Sequence, residues 1–193
     1  MFEKFKAAFK LNSLCSSWGG NPNNLSKGET VALQTLMYID NLSKDSLIFK
    51  SKYVKTDAAL LVCLYVSTSI MHNGDIPDDE VKKLMRAMLF GSLKLFGIDK
   101  NELIEMQNNR NKTFEEFLYD DMYFLLEPSE LDKFIEEACL LFSLDMHYGE
   151  FVPFTKDSPV VIMDFMKQSR IELETKAFFT TVFSMLNKYV DLE

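Results

Sequence analysis

Apolar residues recur at helical spacing along nearly the whole chain, and strand-like alternation lasts no more than four or five residues, residues 151–154 excepted. Phe2, Phe5 and Phe9, with Lys4, Lys6 and Lys10 between them, predict an amphipathic N-terminal helix within residues 1–17 that packs on the domain. Trp18-Gly19-Gly20-Asn21-Pro22 cannot continue it and predicts a loop. Ser26 with Glu29 three residues on forms a capping box that opens a helix to about Leu42. Asp57 is placed to cap a helix over residues 58–72 that is apolar on every face, the mark of a central, buried element. Pro77 in a first turn, followed by Asp78, Asp79 and Glu80, opens the next, which carries Val81, Leu84, Met85, Met88 and Leu89 towards Gly97. Asp99 predicts a helix over 101–109, and Thr113 with Glu116 another over 113–127. Pro128-Ser129 breaks the chain before a helix over 130–146, and helices over 160–167 and 172–190 close the structure. The expectation is one all-α domain over residues 1–193, with about eight helices.

Composition narrows the class. At 47% hydrophobic and 26% charged residues, the 193-residue chain closes a core and is excluded from the disordered class. Its longest apolar run, residues 58–66, is far below the roughly 20 residues a membrane helix needs, so no stable membrane insertion is expected. No signal-peptide pattern follows Met1-Phe2-Glu3-Lys4, which leads us to expect a cytoplasmic location. Cys15, Cys63 and Cys139 make neither a disulfide scaffold nor a zinc ribbon, and Cys63 and Cys139 read as core thiols. The net charge of −8 is uneven: +3 over residues 1–57, −8 over 58–137 and −3 over 138–193. A surface of that sign repels phosphate backbones, so nucleic acid is not an expected partner, whereas a basic protein or a cation is. Both G-x-S-x-G and G-K-[ST] are absent, and neighbours such as Glu115-Glu116 and Asp120-Asp121 diverge by about 100° on a helix. The chain is therefore expected not to be an enzyme, and no organic cofactor is expected.

The two histidines sit in the same phrase, Met71-His72-Asn73-Gly74-Asp75 and Met146-His147-Tyr148-Gly149-Glu150, offset by 75 residues and each following a cysteine-containing apolar helix. The repetition suggests two imperfectly related helical halves. If the loops face each other, His72, Asp75, His147 and Glu150 supply two imidazoles and two carboxylates to a divalent metal such as zinc. The competing reading is helix-end chemistry, with glycine stopping each helix and histidine at its negative end. An EF-hand register with Gly74 sixth and Glu80 twelfth fails, because Ser69 and Met71 occupy the first and third ligand positions.

Residues 60–71, Asn73-Gly74-Asp75-Ile76, Glu80, the apolar run from Leu84, Phe96-Gly97-Ile98 and Glu102-Leu103 together resemble the TerB-like family of tellurite-resistance proteins over about residues 60–106. The resemblance implies an all-helical fold of two related halves and a non-enzymatic, stress-related adaptor that presents an acidic surface, here Asp78, Asp79 and Glu80, to a partner or cation. Gly74, Asp75, Ile76 and Glu80 match the family pattern. Asn73 replaces the Asp that usually precedes the glycine, and Thr155 stands where a Glu is expected after Gly149, so two carboxylates of that surface are missing. Two further readings are an inhibitor or immunity-type protein that neutralises a basic partner, and a metal-binding protein or metal-dependent enzyme using the histidine loops.

Overall fold

The structure, a computed structural model, describes residues 10–42, 44–67, 77–118, 128–155, 158, 161 and 164–190. Among these it is all-α, and no strand forms. Residues 10–16 make α1, followed by α2 (Lys27–Leu42), α3 (Lys52–Tyr65), α4 (Asp78–Phe96), α5 (Lys100–Leu118), α6 (Pro128–Tyr148) and α7 (Phe165–Val190). A single 3-10 turn, Ile48–Lys50, joins α2 to α3. Phe2, Phe5 and Phe9 lie outside the described residues.

Over the described residues the central-helix expectation holds, with a shifted start; residues 68–72, its expected end, lie outside them. Ser51, not Asp57, caps α3, its side chain accepting from the Tyr53 N–H. Helix formation therefore begins six residues earlier and leaves Asp57 in the second turn, buried. From Val54 to Tyr65 only Lys55 escapes full burial, and Leu61, Leu64 and Tyr65 all lie in the main core. The Tyr65 ring meets Phe183 of α7 at 4.1 Å between centroids, and Phe134, Phe142, Phe178 and Phe179 continue the aromatic packing between α6 and α7.

Two expected breaks do not occur. Thr113 does not open a new helix but lies inside α5, where its hydroxyl bonds back to the Asn109 carbonyl at 2.8 Å and also engages the Phe154 carbonyl. The expected pair over 160–167 and 172–190 is one helix, α7, preceded by Asp164, whose carboxylate accepts from the Met166 N–H. Residues 151–155 form no regular element and lie against α5, the Phe154 N–H on Asn109. Stops fall where glycine permits: Gly97 after α4 and Gly149 after α6 have φ of +68° and +69°.

The capping box of α2 forms as expected, with Ser26 N–H to Glu29 at 2.9 Å and Glu29 N–H to Ser26 Oγ at 3.2 Å. Glu29 also accepts from the buried Trp18 indole at 2.9 Å, which pins the glycine-containing loop to the helix start. α2 and α4 pack closely because Gly28 faces the first turn of α4: a Cβ there would lie 2.2 Å from the Glu80 carbonyl oxygen. No helix among the described residues is long and apolar enough to cross a membrane.

Leu61→Ala, at a fully buried position, should cost about 2–5 kcal/mol in urea unfolding. Gly28→Ala should also destabilise, by more than the roughly 1 kcal/mol that alanine normally contributes over glycine in a helix, because backbone rather than a movable side chain blocks the methyl. A melting temperature raised by Gly28→Ala would contradict the close α2–α4 approach.

Candidate functional site

Three charged side chains meet inside the molecule. Asp57 comes from α3, Arg110 from α5 and Asp145 from α6, with side-chain exposures of 0%, 1% and 0%. Each lies on the apolar stripe of its helix: Asp57 between Val54 and Leu61, Arg110 after Leu103 and Met106, and Asp145 after Ala138 and Leu141. That placement dictates burial, and burial demands partners.

Arg110 obtains them from four directions. Its Nε and Nη2 donate to the two oxygens of Asp57 at 2.9 and 2.8 Å, a bidentate pair. Nη2 also reaches Asp145 Oδ1 at 3.4 Å, and Nη1 donates to Asn109 Oδ1 at 2.6 Å and the Val152 carbonyl at 3.0 Å. The Phe151 ring lies 5.0 Å from the guanidinium carbon and closes the remaining side. Residues 151–155 are held in place by Asn109 and Thr113, since the Phe154 N–H donates to Asn109 Oδ1 at 3.0 Å.

The charges do not balance if both acids are ionised. Burial pushes the Asp145 carboxyl far above the usual carboxylate range, the negative charge of Asp57 pushes it further, and Arg110 only partly opposes them. Among the described residues no donor reaches Asp145 Oδ2, and a proton on Asp145 supplies the donor that lets its carboxyl hydrogen-bond to Asp57 instead of repelling it. Arg110 grips Asp57 by both oxygens and reaches Asp145 only at 3.4 Å, so the proton that the two acids retain belongs on Asp145, and it makes the cluster electrically neutral. Burial works against the Arg110 cation, but Asp57 and then Asp145 hold its affinity for the proton above the ordinary value. With its side chains buried, the cluster ties together three helices and the segment 151–155.

The residues singled out by sequence fall elsewhere. His147 is exposed in the last turn of α6, its ring edge-on to Tyr148, and the Gly149 N–H closes the helix end on the Asp145 carbonyl at 2.9 Å. Glu150 is exposed just beyond. His72 and Asp75 lie outside the described residues, and among the described residues no group of three or more potential ligands is placed to hold a metal. Asp78 and Asp79 are exposed in the first turn of α4, with Lys83 Nζ 2.5 Å from Asp79. Glu80 is not a surface acid: half-buried, it accepts from the Gly28 N–H at 2.8 Å and from Lys83 at 3.1 Å. Burial alone would raise its pKa, but these donors hold the carboxyl below its usual value. Glu174 on α7 is spent likewise, accepting from the Leu47 and Ile48 N–H groups at the start of the 3-10 turn, from Ser46 and from Arg170. All three cysteines are buried; burial pushes the Cys63 thiol up to about 12 and that of Cys139 to about 11, so both are core thiols as expected.

Because the folded protein keeps a proton on Asp145 that the unfolded chain releases above the normal aspartate range, the stability contribution of this group falls as pH rises through neutrality. Asp145→Asn, which keeps the shape and removes the titration, should match wild type within about 1 kcal/mol near pH 4, where both states of the wild-type chain hold the proton, and should be the more stable of the two at pH 7. It should also remove a slope of up to about 1.4 kcal/mol per pH unit between about pH 6 and 9. Arg110→Leu strands Asp57 and should cost about 3–5 kcal/mol. Urea titrations across pH check both, and a wild-type slope retained in Asp145→Asn would contradict the neutral acid. Comparison with family models, with curated proteins and with solved structures finds no match for this chain.

Proposed function

We propose that the chain is a non-catalytic interaction protein of the cytoplasm, of the TerB-like, stress-related kind, that presents a local acidic surface to a basic protein partner. The observation that carries this reading is the pair Asp78 and Asp79, exposed at the start of α4 in the most acidic stretch of the sequence, with Asp79 also paired to Lys83 on the same helix. The fold's other acids support it by contrast. Asp57 and Asp145 are sealed with Arg110, while Glu29, Glu80 and Glu174 satisfy helix and turn N-termini, so none of them is presented to solvent as a free acidic face. Exposed bases follow on α4 itself, Lys82 one turn after Asp78 and Arg86 a turn further, and elsewhere exposed acids are interspersed with exposed bases. Attraction of a basic partner is therefore local to this helix start rather than a property of the whole surface.

The test is affinity capture with the full chain and with an Asp78→Lys, Asp79→Lys variant, at about 50 and 300 mM salt, where screening differs severalfold. The reading expects one basic partner, lost at high salt and lost with the charge reversal. The variant's fold should survive, since each reversal at a helix start costs only about 0.3–1 kcal/mol. A partner indifferent to both salt and reversal overturns the proposal. A captured enzyme whose activity the chain blocks would select the inhibitor reading.

A further inference from the structure

At the junction of α2, the 3-10 turn and α7 lies an open cavity of about 350 Å³, within the size range of small-molecule sites. Its body is aromatic. Tyr38 and Phe178 stack in parallel with ring centroids 6.1 Å apart, and Phe49 packs on Phe178 at 5.0 Å. Its charged lining is one-signed, Asp45 and Glu174, with Asn41 in the last turn of α2 and Asp45 in the turn just beyond it.

The electrostatics of that rim select a cation. The last turn of α2 contains no basic residue, and its Asn41 and Leu42 carbonyls accept from the Lys44, Asp45 and Ser46 N–H groups, which leaves Asp45 as the charge to be matched there. Among the described residues nothing pairs with the Asp45 carboxylate, which is exposed at the mouth. Glu174, the other acid in the wall, is already saturated by Ser46, the Leu47 and Ile48 N–H groups and Arg170. Arg170 is itself occupied, donating to Glu174 at 2.7 Å and to the Asp45 carbonyl at 3.0 Å, and does not line the cavity. The unspent charge at the mouth is thus that of Asp45, in a cavity that also holds the Tyr38 ring, whose face attracts cations.

We infer that this cavity binds a small organic amine with a single-ring or short aliphatic body, its ammonium beside Asp45 and its body against Tyr38, Phe49 and Phe178. The site is separate from Asp78 and Asp79, and its test is independent of theirs. Carbon-13 methyl and nitrogen-15 NMR titrations of the full chain with phenethylamine, 2-phenylethanol and 3-phenylpropanoate hold the ring constant and vary the charge. The amine should saturate in the millimolar range or below and perturb Ala177 and its neighbours. The alcohol should bind about tenfold more weakly, and the carboxylate more weakly still. Asp45→Asn should remove the preference for the amine while leaving alcohol binding unchanged. Ala177→Phe, at an exposed helix position on the wall, should fill the cavity and abolish binding of both without lowering the melting temperature. Equal affinity for amine and alcohol in the wild type, shifts centred away from these residues, or no saturation by about 10 mM overturns the proposal.

Discussion

Arg110 cannot be buried alone, and that requirement organises much of the molecule. Its guanidinium carries five donors in a fixed plane, and a dry site must answer the charge as well as the hydrogen bonds. The fold answers with Asp57 of α3, Asp145 of α6, the neighbouring Asn109 and the Val152 carbonyl. A guanidinium gripped on several edges fixes the rotation of α3, α5 and α6 about their own axes, which apolar packing alone specifies loosely. Residues 151–155 are drawn in by the same network and laid over α5. The cluster holds more acid than base, and a proton on Asp145 makes up the difference. Stability in this protein is therefore linked to proton binding at a place no solvent molecule reaches directly.

The remaining carboxylates show how an acidic chain distributes its charge. Glu29 closes its own capping box and holds Trp18, Glu80 caps α2 from the start of α4, and Glu174 caps the 3-10 turn from α7. Each meets N–H groups that would otherwise lack acceptors at a helix or turn start. Two of the three act between elements distant in sequence, so they position helices as well as terminate them. The glycine at position 28 belongs to the same joint: the Glu80 carboxylate reaches its N–H because nothing but hydrogen separates the two backbones. The cavity beside Asp45 is a by-product of such a joint, since Glu174 draws the 3-10 turn towards α7 and leaves an aromatic-lined gap at the end of α2.

The helical class, the capping box at Ser26 and Glu29, the buried character of residues 58–66 and the glycine stops at Gly97 and Gly149 were all legible in the sequence. They follow from local rules, namely the period of apolar residues, the reach of a side chain to a nearby N–H and the freedom of glycine at positive φ. The same local rules misplaced Asp57 and Thr113 as caps. Both residue types favour helix starts when solvated, and only a partner from another element makes the helix interior preferable: Arg110 for Asp57, the Phe154 carbonyl for Thr113. One signal for the cluster was present in the sequence, charged residues on apolar stripes, but it names no partner. Which acid meets which base, and that Glu80 serves Gly28 rather than the surface, depends on pairs 35 to 53 residues apart. Local sequence determined where helices form and which faces are apolar; tertiary packing decided which charges are buried together, because only proximity in space supplies the partner that makes burial of a charge tolerable.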